Sequence, residues 1–287
     1  MCSWLASAIV HTIDGTFPQA ETKRPGSRQS KSTSRQPLRD ASRISISLVL
    51  PMYNEAPSVD RTLSTALLVL EEHFTDFEIV VADDASTDDS AARVAQWTTR
   101  DKRIRLVKLI HNERFGGALR AGLTAARNAF LIYTDFDLPI SLHCLPGLVA
   151  ASKNADILTG YAESCEKHAS WRSKIISKTY NFLVRTLFDL PLRDINFGLK
   201  ALPKSVWDLL PLRSRSPFVD AELFVQAKRM GFTIQEVAVP FSPRALGTSH
   251  MRRVDIIIRT FWDMASCWVM PPALREPGFR TRAHAER

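Results

Sequence analysis

Short apolar runs alternate with amphipathic segments along the first half of the chain. The apolar runs cover residues 44–51, 77–84, 104–110 and 130–135. Each run is apolar nearly throughout rather than at every second position, which is typical of parallel strands buried on both faces. Apolar residues three or four apart predict helices near 59–73, after an N-cap at Ser86 or Thr87, and near 117–128. This alternation predicts an α/β fold with a mostly parallel, Rossmann-like sheet flanked by helices.

The second half continues the alternation less regularly. Strands are predicted at 155–161, around 197–203 and at 232–241, and helices near 170–188 and 220–230. There is no internal repeat, so we expect a single domain over residues 44–250. Residues 21–43 are rich in Ser, Arg and Pro and almost lack large apolar side chains, so residues 1–43 are expected to be a disordered basic tail.

The segment 254–270 is apolar and aromatic but is interrupted by Arg259 and Asp263. No stretch of the chain reaches the roughly 18 uncharged apolar residues that a bilayer-spanning helix needs. Aromatic residues and flanking arginines predict that 251–287 forms an amphipathic, membrane-proximal helix followed by a basic tail. The alternative is a terminal helix that packs on the domain.

The net charge of +8 is concentrated at the two ends of the chain. Residues 21–43 hold seven basic residues against two acidic ones, and residues 252–287 hold seven arginines against four acidic residues. A nucleic-acid-binding fold carries its basic face on the folded domain, so no nucleic-acid partner is expected. Basic ends suit an acidic membrane surface, although they could equally be solvated tails.

Four scattered cysteines lack CxxC spacing, which argues against a zinc site or a disulfide framework and fits a reducing compartment. The opening stretch SWLASAIV is only eight residues long and has no basic residue before it, so no signal peptide is expected. We therefore expect a cytoplasmic protein that is peripherally associated with a membrane.

Acidic and polar side chains follow three of the predicted strands. They are Tyr53 and Glu55, Asp83 and Asp84, and Asp135 and Asp137. The carboxyl ends of parallel strands meet at one edge of a sheet, where ligands bind. In extended backbone, residues two apart point the same way, so Asp135 and Asp137 would together hold Mg²⁺ or Mn²⁺. Asp83 and Asp84 could instead be a helix-capping pair.

The ordered succession of motifs resembles the family 2 glycosyltransferases of GT-A fold, and within them the polyprenol-phosphate (dolichol-phosphate) mannose or glucose synthases. The motifs are LVLPMYNE, VVADDASTDDS, ERFGGALRAGLTAA, TDFD, SKTYNFLVRTLF, RDINFGLKALPKSVWDLL and the segment from SPFVDAELF to ALGTSH. This resemblance covers about 44–250. It implies a nucleotide-sugar donor and a polyprenyl phosphate acceptor.

The resemblance also implies roles for individual residues. Pro51, Tyr53 and Glu55 would line the nucleotide pocket. Asp83, or alternatively Asp84, would accept a hydrogen bond from the base. Gly116, with Gly117, would let backbone approach the ligand or would form a tight turn before a helix. Asp135 and Asp137 would hold the metal and the diphosphate.

On the acceptor side, a lipid phosphate is already largely ionised at neutral pH and needs cations more than it needs a base. The candidate phosphate-binding residues are Lys178, Asn181, Arg193, Lys200 and Arg244. Asp220 or Glu222 would be the catalytic base if the acceptor were a hydroxyl group. With a phosphate acceptor, these two residues would instead serve structure or orient the basic residues.

Two positions depart from the family pattern. Pro139 stands where a further metal ligand is common, and His250 replaces the last Lys of the R-x-x-G-x-S-K motif. The sequence thus predicts an inverting hexosyltransferase that uses GDP-mannose or UDP-glucose at the cytoplasmic membrane face, with a membrane-protein partner as a possible means of attachment. The alternatives are a transferase that acts on a hydroxyl acceptor in polysaccharide or glycolipid synthesis, and a non-catalytic nucleotide-sugar-binding protein.

Overall fold

A computed structural model describes residues 44–162, 171–240 and 254–269. The strands are β1 (Ile46–Met52), β2 (Phe77–Asp83), β3 (Ile104–Lys108), β4 (Phe130–Thr134), β5 (Ile157–Ala162), β6 (Leu199–Pro203) and β7 (Ile234–Val239). The helices are α1 (Val59–His73), α2 (Ser90–Arg100), α3 (Arg114–Ala125), α4 (Leu145–Ala151), α5 (Trp171–Phe188), α6 (Lys204–Trp207), α7 (Val219–Arg229) and α8 (Val254–Val269), with a 3₁₀ helix at Leu142–Cys144.

These strands form one sheet in the order β3-β2-β1-β4-β6-β5-β7. The pairs β1 with β2, β1 with β4, β2 with β3, and β5 with β7 are parallel. Only β6 runs the other way among the described strands, because it pairs antiparallel with both β4 and β5. The predicted single α/β domain with a mostly parallel, helix-flanked sheet is confirmed.

Both faces of the sheet are covered, as the apolar runs predict. In β1, Leu48 and Leu50 belong to one core cluster together with Leu63 of α1. Val49, between them, belongs to the cluster on the opposite face together with Leu123 of α3. Each fully buried Leu or Val stabilises the fold by roughly 1.5–3 kcal/mol, so the two faces hold the central strands firmly in place.

Two features differ from the predicted elements. Helix α3 begins at Arg114 and ends at Ala125, three residues earlier than predicted at each end. The 3₁₀ helix and α4 were not predicted, because the segment from Leu142 to Ala151 is short. The strand predicted around 197–203 exists as β6, and the helices predicted near 59–73 and 220–230 match α1 and α7 closely.

Helix α8 packs on the domain through Met264 and Cys267, which are buried in the core cluster that α7 also joins. The Asp263 carboxylate accepts a hydrogen bond from the backbone N–H of Ser216 at 3.1 Å. Within the described ranges, no helix is both long enough and apolar enough to cross a bilayer. Arg244, His250 and the two predicted tails lie outside the described residues.

Candidate active site at the carboxyl ends of the strands

The loops that follow β1 and β2 are fastened to each other by hydrogen bonds. The Asn54 backbone N–H donates to Ser86 Oγ at 2.9 Å, and the Thr87 N–H donates to Asn54 Oδ1 at 2.8 Å. The Glu55 N–H donates to Ser90 Oγ at 2.8 Å. Asn54 adopts a φ of 56°, a left-handed conformation that Asn tolerates better than most residues. These bonds fix the YNE loop beside the β2 loop.

Pro51 and Tyr53 belong to this same edge. Pro51 is buried within β1, where it lies opposite Ala82 of β2. Tyr53 follows the last residue of β1 and is 39% exposed. An exposed aromatic ring beside two fastened loops provides a surface on which a planar base can stack.

Asp83 and Asp84 are both buried but differ in what their carboxylates contact. Asp83 Oδ1 accepts a hydrogen bond from the Ser86 N–H at 3.2 Å. Asp83 Oδ2 is buried and has no hydrogen-bond partner among the described residues. An unsatisfied buried carboxylate oxygen is costly, and a donor group of a ligand would satisfy it. Asp83 is therefore the better placed of the two to meet a nucleotide base.

Asp84 instead holds the loop after β3. Its Oδ1 accepts a hydrogen bond from the Glu113 backbone N–H at 2.6 Å. Burial raises the pKa of Asp84 to about 6, and the Glu113 N–H only partly opposes this rise. Neither aspartate caps α2, because Asp88 Oδ1 accepts the Ser90 N–H at 3.0 Å at the start of that helix. The two aspartates therefore do not cap α2 as a pair, but Asp84 accepts a backbone N–H at the start of α3, because Glu113 directly precedes that helix.

The DFD segment lies in a turn that is anchored to the core. Strand β4 ends at Thr134, and the Leu138 N–H donates to Asp135 O at 3.1 Å. The prediction that extended backbone continues through Asp137 is therefore wrong. Phe136 is buried, and its carbonyl accepts a hydrogen bond from Thr62 Oγ1 of α1 at 2.9 Å.

Gly198, just before β6, makes room for the Asp135 carboxylate. A Cβ atom at Gly198 would lie 2.8 Å from Asp135 Oδ2, too close for an ordinary contact. The sequence analysis missed this residue, because only the antiparallel pairing of β6 with β4 brings it next to Asp135.

The donor set of this turn fits a hard divalent cation. In the described part of the chain, no His, Cys, Asp or Glu forms a compact three-ligand group with Asp135 and Asp137. Pro139, the position that departs from the family pattern, is buried. Two carboxylates leave coordination positions for water and for phosphate oxygens, which is how Mg²⁺ is commonly held.

Beneath this edge lies a buried cluster of Lys200, Asp220 and Tyr133. Lys200 is fully buried, and its Nζ lies 2.9 Å from Asp220 Oδ1. The Tyr133 hydroxyl donates to the same Oδ1 at 2.7 Å. Tyr133 and Lys200 are register neighbours across β4 and β6. Burial, followed by the charge of Asp220, raises the pKa of Tyr133 well above its ordinary value, so the phenol stays protonated.

Lys200 was predicted as a phosphate ligand. The Lys200 ammonium forms an ion pair with Asp220, but the two groups are not aligned for a hydrogen bond. Lys200 Nζ makes no hydrogen bond to any of the described residues. This arrangement matches the alternative in which Asp220 orients a basic residue.

Glu222 is bound to the backbone of the loop before α7. Its Oε1 and Oε2 accept the Arg213 N–H at 3.0 and 3.1 Å, and Oε2 also accepts the Ser214 N–H at 2.8 Å. Glu222 is 1% exposed. A carboxylate with these bonds is a structural anchor for the loop. This agrees with the structural role that was the predicted alternative to a catalytic base.

Gly116 lies where this loop meets α3. Its N–H donates to Arg215 O at 3.0 Å, and a Cβ atom there would overlap the carbonyl oxygen of Ser214. Arg120 of the same helix donates to Ser214 O at 2.9 Å. The backbone that approaches Gly116 closely is that of Ser214 and Arg215, in the protein's own loop. Gly116 is also inside the helix, so the prediction of a tight turn before the helix is wrong.

The other predicted acceptor residues lie farther along the sheet edge. Asn181 Oδ1 accepts a hydrogen bond from the Ile195 N–H at 3.4 Å. The Arg193 guanidinium stacks on the Tyr161 ring at 4.4 Å, and its Nε lies 3.8 Å from Glu236 Oε2. Lys178 is exposed on α5.

Residues 47–209 match the family described as Glycosyl transferase family 2. Glycosyltransferase AglD from Haloferax volcanii is 31% identical over 238 residues, which cover 78% of this chain and 38% of AglD. Undecaprenyl-phosphate 4-deoxy-4-formamido-L-arabinose transferase from Pseudomonas savastanoi pv. phaseolicola is 28% identical over 230 residues, which cover 79% of this chain and 66% of that protein. The chain thus spans less than two thirds of each relative.

Among solved structures, glucosyl-3-phosphoglycerate synthase from Mycobacterium tuberculosis with Mn²⁺, UDP and phosphoglyceric acid superposes with a TM-score of 0.63. The two chains are 19% identical, and 83% of each is covered. The mannosyltransferase PcManGT from Pyrobaculum calidifontis, with GDP-Man and Mn²⁺, gives a TM-score of 0.54 at 18% identity, covering 78% of this chain and 65% of the other. These likenesses establish the GT-A fold.

The family match covers more than half of the chain, and its residues include every strand-end acidic cluster described above. The resemblance that the motifs indicated is therefore confirmed. The chain belongs to glycosyl transferase family 2.

Proposed function

We propose that this protein is a metal-dependent, inverting glycosyltransferase that moves a hexose from a nucleoside-diphosphate sugar to a polyprenyl phosphate. The observation that carries the proposal is the convergence of three loops at the ends of the adjacent strands β2, β1 and β4. That edge holds the unsatisfied oxygen of Asp83 and the carboxylates of Asp135 and Asp137. A base, a diphosphate and a cation each have matching groups there.

Within this proposal, Tyr53 and Asp83 bind the base of the donor, and Asp135 and Asp137 hold Mg²⁺ or Mn²⁺. The bound cation would neutralise the charge that grows on the departing diphosphate. The turn closed between Leu138 and Asp135, together with the Thr62 bond to Phe136, keeps the two carboxylates in place. Such preorganisation lowers the barrier because no reorganisation is needed during the reaction.

A phosphate acceptor is favoured by what Asp220 and Glu222 already contact. Asp220 Oδ1 is held by Tyr133 and Lys200, and the Glu222 carboxylate accepts backbone N–H groups. A hydroxyl acceptor would require one of them as a base, whereas a phosphate oxygen is ionised at neutral pH. In the proposed complex, the cations for that phosphate come from Lys178, Arg193 and Arg244, the last of which lies outside the described residues. Asp220 holds Lys200 in its orientation. The lipid phosphate in the name of the Pseudomonas relative agrees with this choice.

The proposal also includes peripheral attachment to a membrane through α8. One side of this helix exposes five large apolar residues: Ile258, Phe261, Trp262, Trp268 and Val269. They recur three, four or six to seven residues apart and therefore share a face, which borders the buried Met264. Exposed Trp residues beside arginines are typical of helices that lie in a lipid interface.

The first experiment measures transfer of radiolabelled sugar from GDP-mannose and from UDP-glucose to a short polyprenyl phosphate, with Mg²⁺ or Mn²⁺. A chloroform-soluble labelled product that is lost in Asp137→Ala would support the proposal and identify the donor. Donor binding with slow hydrolysis but without labelled lipid would contradict the acceptor. A large loss of transfer to an alcohol acceptor in Asp220→Asn would favour the hydroxyl-acceptor alternative.

Membrane attachment is tested by co-sedimentation with vesicles that contain an anionic phospholipid. The double variant Trp262→Ser/Trp268→Ser should lose binding, whereas Ile110→Ser should retain it. Ile110 is a suitable control because it is 88% exposed on a different surface, the loop after β3. Equal sedimentation of all three proteins would contradict the role of α8, and absence of binding by all three would leave a membrane-protein partner as the means of attachment.

A further inference from the structure

Two histidines and a glutamate meet on the surface at the far end of α1. Glu72 and His73 are the last two residues of that helix, and His143 lies in the 3₁₀ helix that follows the DFD turn. His73 Nε2 lies 3.3 Å from His143 Nδ1. The Glu72 carboxylate oxygens lie 3.9 Å from His73 Nε2 and 4.0 Å from His143 Nδ1.

The separations suit a tetrahedral transition-metal ion. With metal–nitrogen bonds of about 2.0–2.1 Å, two imidazole ligands of a tetrahedral centre lie about 3.3–3.4 Å apart. The observed nitrogen–nitrogen distance of 3.3 Å agrees with this value. The Glu72 carboxylate faces the two nitrogens with different oxygens, Oε1 toward His73 and Oε2 toward His143, so its side chain, which is 61% exposed, must rotate to bring one oxygen to the ion. A fourth position would remain for water.

The alternative to a metal site is a simple hydrogen bond between two neutral imidazoles. The rings meet edge to face, with centroids 5.5 Å apart and planes at 85°. The two ring nitrogens lie 3.3 Å apart where the rings meet, beside a carboxylate that has no basic partner other than these histidines among the described ion pairs. A divalent cation bound by both nitrogens would contact the two imidazoles and the Glu72 carboxylate at once. A hydrogen bond between the two histidines alone does not involve this carboxylate.

We propose that Glu72, His73 and His143 form a second metal site that binds a Zn²⁺-class cation. Two imidazoles and a carboxylate select Zn²⁺ or a neighbouring transition metal, whereas Asp135 and Asp137 offer hard oxygen ligands suited to Mg²⁺ or Mn²⁺. The two centres would therefore take different ions. This inference does not depend on the proposed function, because it rests on a separate set of residues.

The site would act as a clamp between α1 and the segment that carries the DFD turn. Thr62 already holds the Phe136 carbonyl near one end of this segment, and Leu142 is buried beside the other. A metal ion bridging His73 and His143, which are 70 residues apart in sequence, would add a tie at the exposed end. Binding to the folded protein alone also raises its stability by mass action.

The test uses the full chain, freed of metal with a chelator and titrated with Co²⁺ and with Zn²⁺ in the absence of nucleotide. We expect one equivalent of tightly bound metal, a visible Co²⁺ spectrum of tetrahedral type, and at least a 10-fold weaker affinity in His143→Ala and in His73→Ala. His111→Ala, an exposed histidine outside the cluster, should bind like the wild type. Asp137→Ala should also retain the site.

Several outcomes would overturn the proposal. Wild-type affinity in His143→Ala would place the ion elsewhere, and loss in Asp137→Ala alone would place it at the strand-end carboxylates. An absence of stoichiometric binding would leave only the hydrogen-bonded histidine pair. Circular dichroism of metal-free His143→Ala checks the fold, which we expect to be unchanged because the His143 side chain is 59% exposed.

Discussion

The two halves of the candidate site are built in different ways. The donor half comprises the loops after β1, β2 and β4, and consecutive motifs hold it together by short bonds such as Asn54 to Ser86. The acceptor half comprises α5, β6 and α7. Its central contact is the buried pair of Lys200 and Asp220, which lie on different elements. The donor half therefore depends on hydrogen bonds between neighbouring loops, whereas the acceptor half depends on a buried ion pair between packed elements.

The largest expected effect tests this dependence in the acceptor half. Among the described residues, Lys200→Met would leave the buried Asp220 carboxylate with only the Tyr133 hydroxyl. Removing one partner of a buried ion pair costs about 3–5 kcal/mol in the free energy of unfolding. Urea denaturation measures this change. The double variant Lys200→Met/Asp220→Leu should recover much of the loss, and a full loss in both variants would show that the pair is not the cause.

The next effect lies where the two halves touch. Gly198→Ala should displace the Asp135 carboxylate, because the new Cβ would lie 2.8 Å from Oδ2. We expect transfer to fall about 100-fold, equivalent to ~2.7 kcal/mol, with the fold retained. Gly147→Ala in α4 is the matched control, since nothing lies within 4 Å of its Cβ position. Equal activity of the two variants would contradict the fit between Gly198 and Asp135.

A smaller effect concerns the pH dependence of stability through Asp84. Burial raises its pKa from 3.8 to about 6. Between these values the folded protein binds more protons than the unfolded chain, so stability falls as pH rises through this window and is level above it. From about pH 4.5 to about pH 7, the wild type should lose about 2 kcal/mol relative to Asp84→Asn.

Asp84→Asn keeps an oxygen that can accept the Glu113 N–H, so the folded loop should persist. Unfolding free energies measured by urea at the two pH values give the comparison directly. Parallel curves for the wild type and the variant would mean that Asp84 does not titrate in this window.

The smallest expected effect separates the two neighbouring aspartates. Asp83→Asn should weaken binding of the nucleoside diphosphate about tenfold, or ~1.4 kcal/mol, because a neutral amide replaces the buried carboxylate oxygen that has no partner among the described residues. Calorimetric titration with GDP and UDP measures the affinity. If Asp84→Asn weakened nucleotide binding more than Asp83→Asn, the assignment of the base contact would be reversed.

The donor half was readable from the sequence because its signals are local. Apolar runs predicted β1, β2 and β4, and the acidic residues at the ends of the runs for β2 and β4 predicted the position of Asp83 and Asp135 at one edge. The turn at Asp137 was not predicted, because a single carbonyl contact with Thr62 and the backbone of Leu138 set it. A two-residue spacing cannot show such contacts.

The acceptor half was less readable because its partners are distant in sequence. The contact between Tyr133 and Asp220 joins residues 87 positions apart, and no pattern within α7 reveals it. Gly198 and Gly116 have the same character, since each meets backbone or side chain from another element. Glu222 looked like a candidate base until its bonds to the Arg213 and Ser214 backbone were known.

The reversed direction of β6 has a consequence for how this scaffold can diversify. Because β6 is antiparallel to β4, the chain enters it at the same edge where the parallel strands end. The connection over 189–198 therefore reaches the edge where β1, β2 and β4 end. The chain then runs away from that edge as β6, in a register fixed by its pairing with β4. Insertions or substitutions in that connection can reshape the pocket for a new acceptor while β1, β2 and β4 continue to present the same donor site.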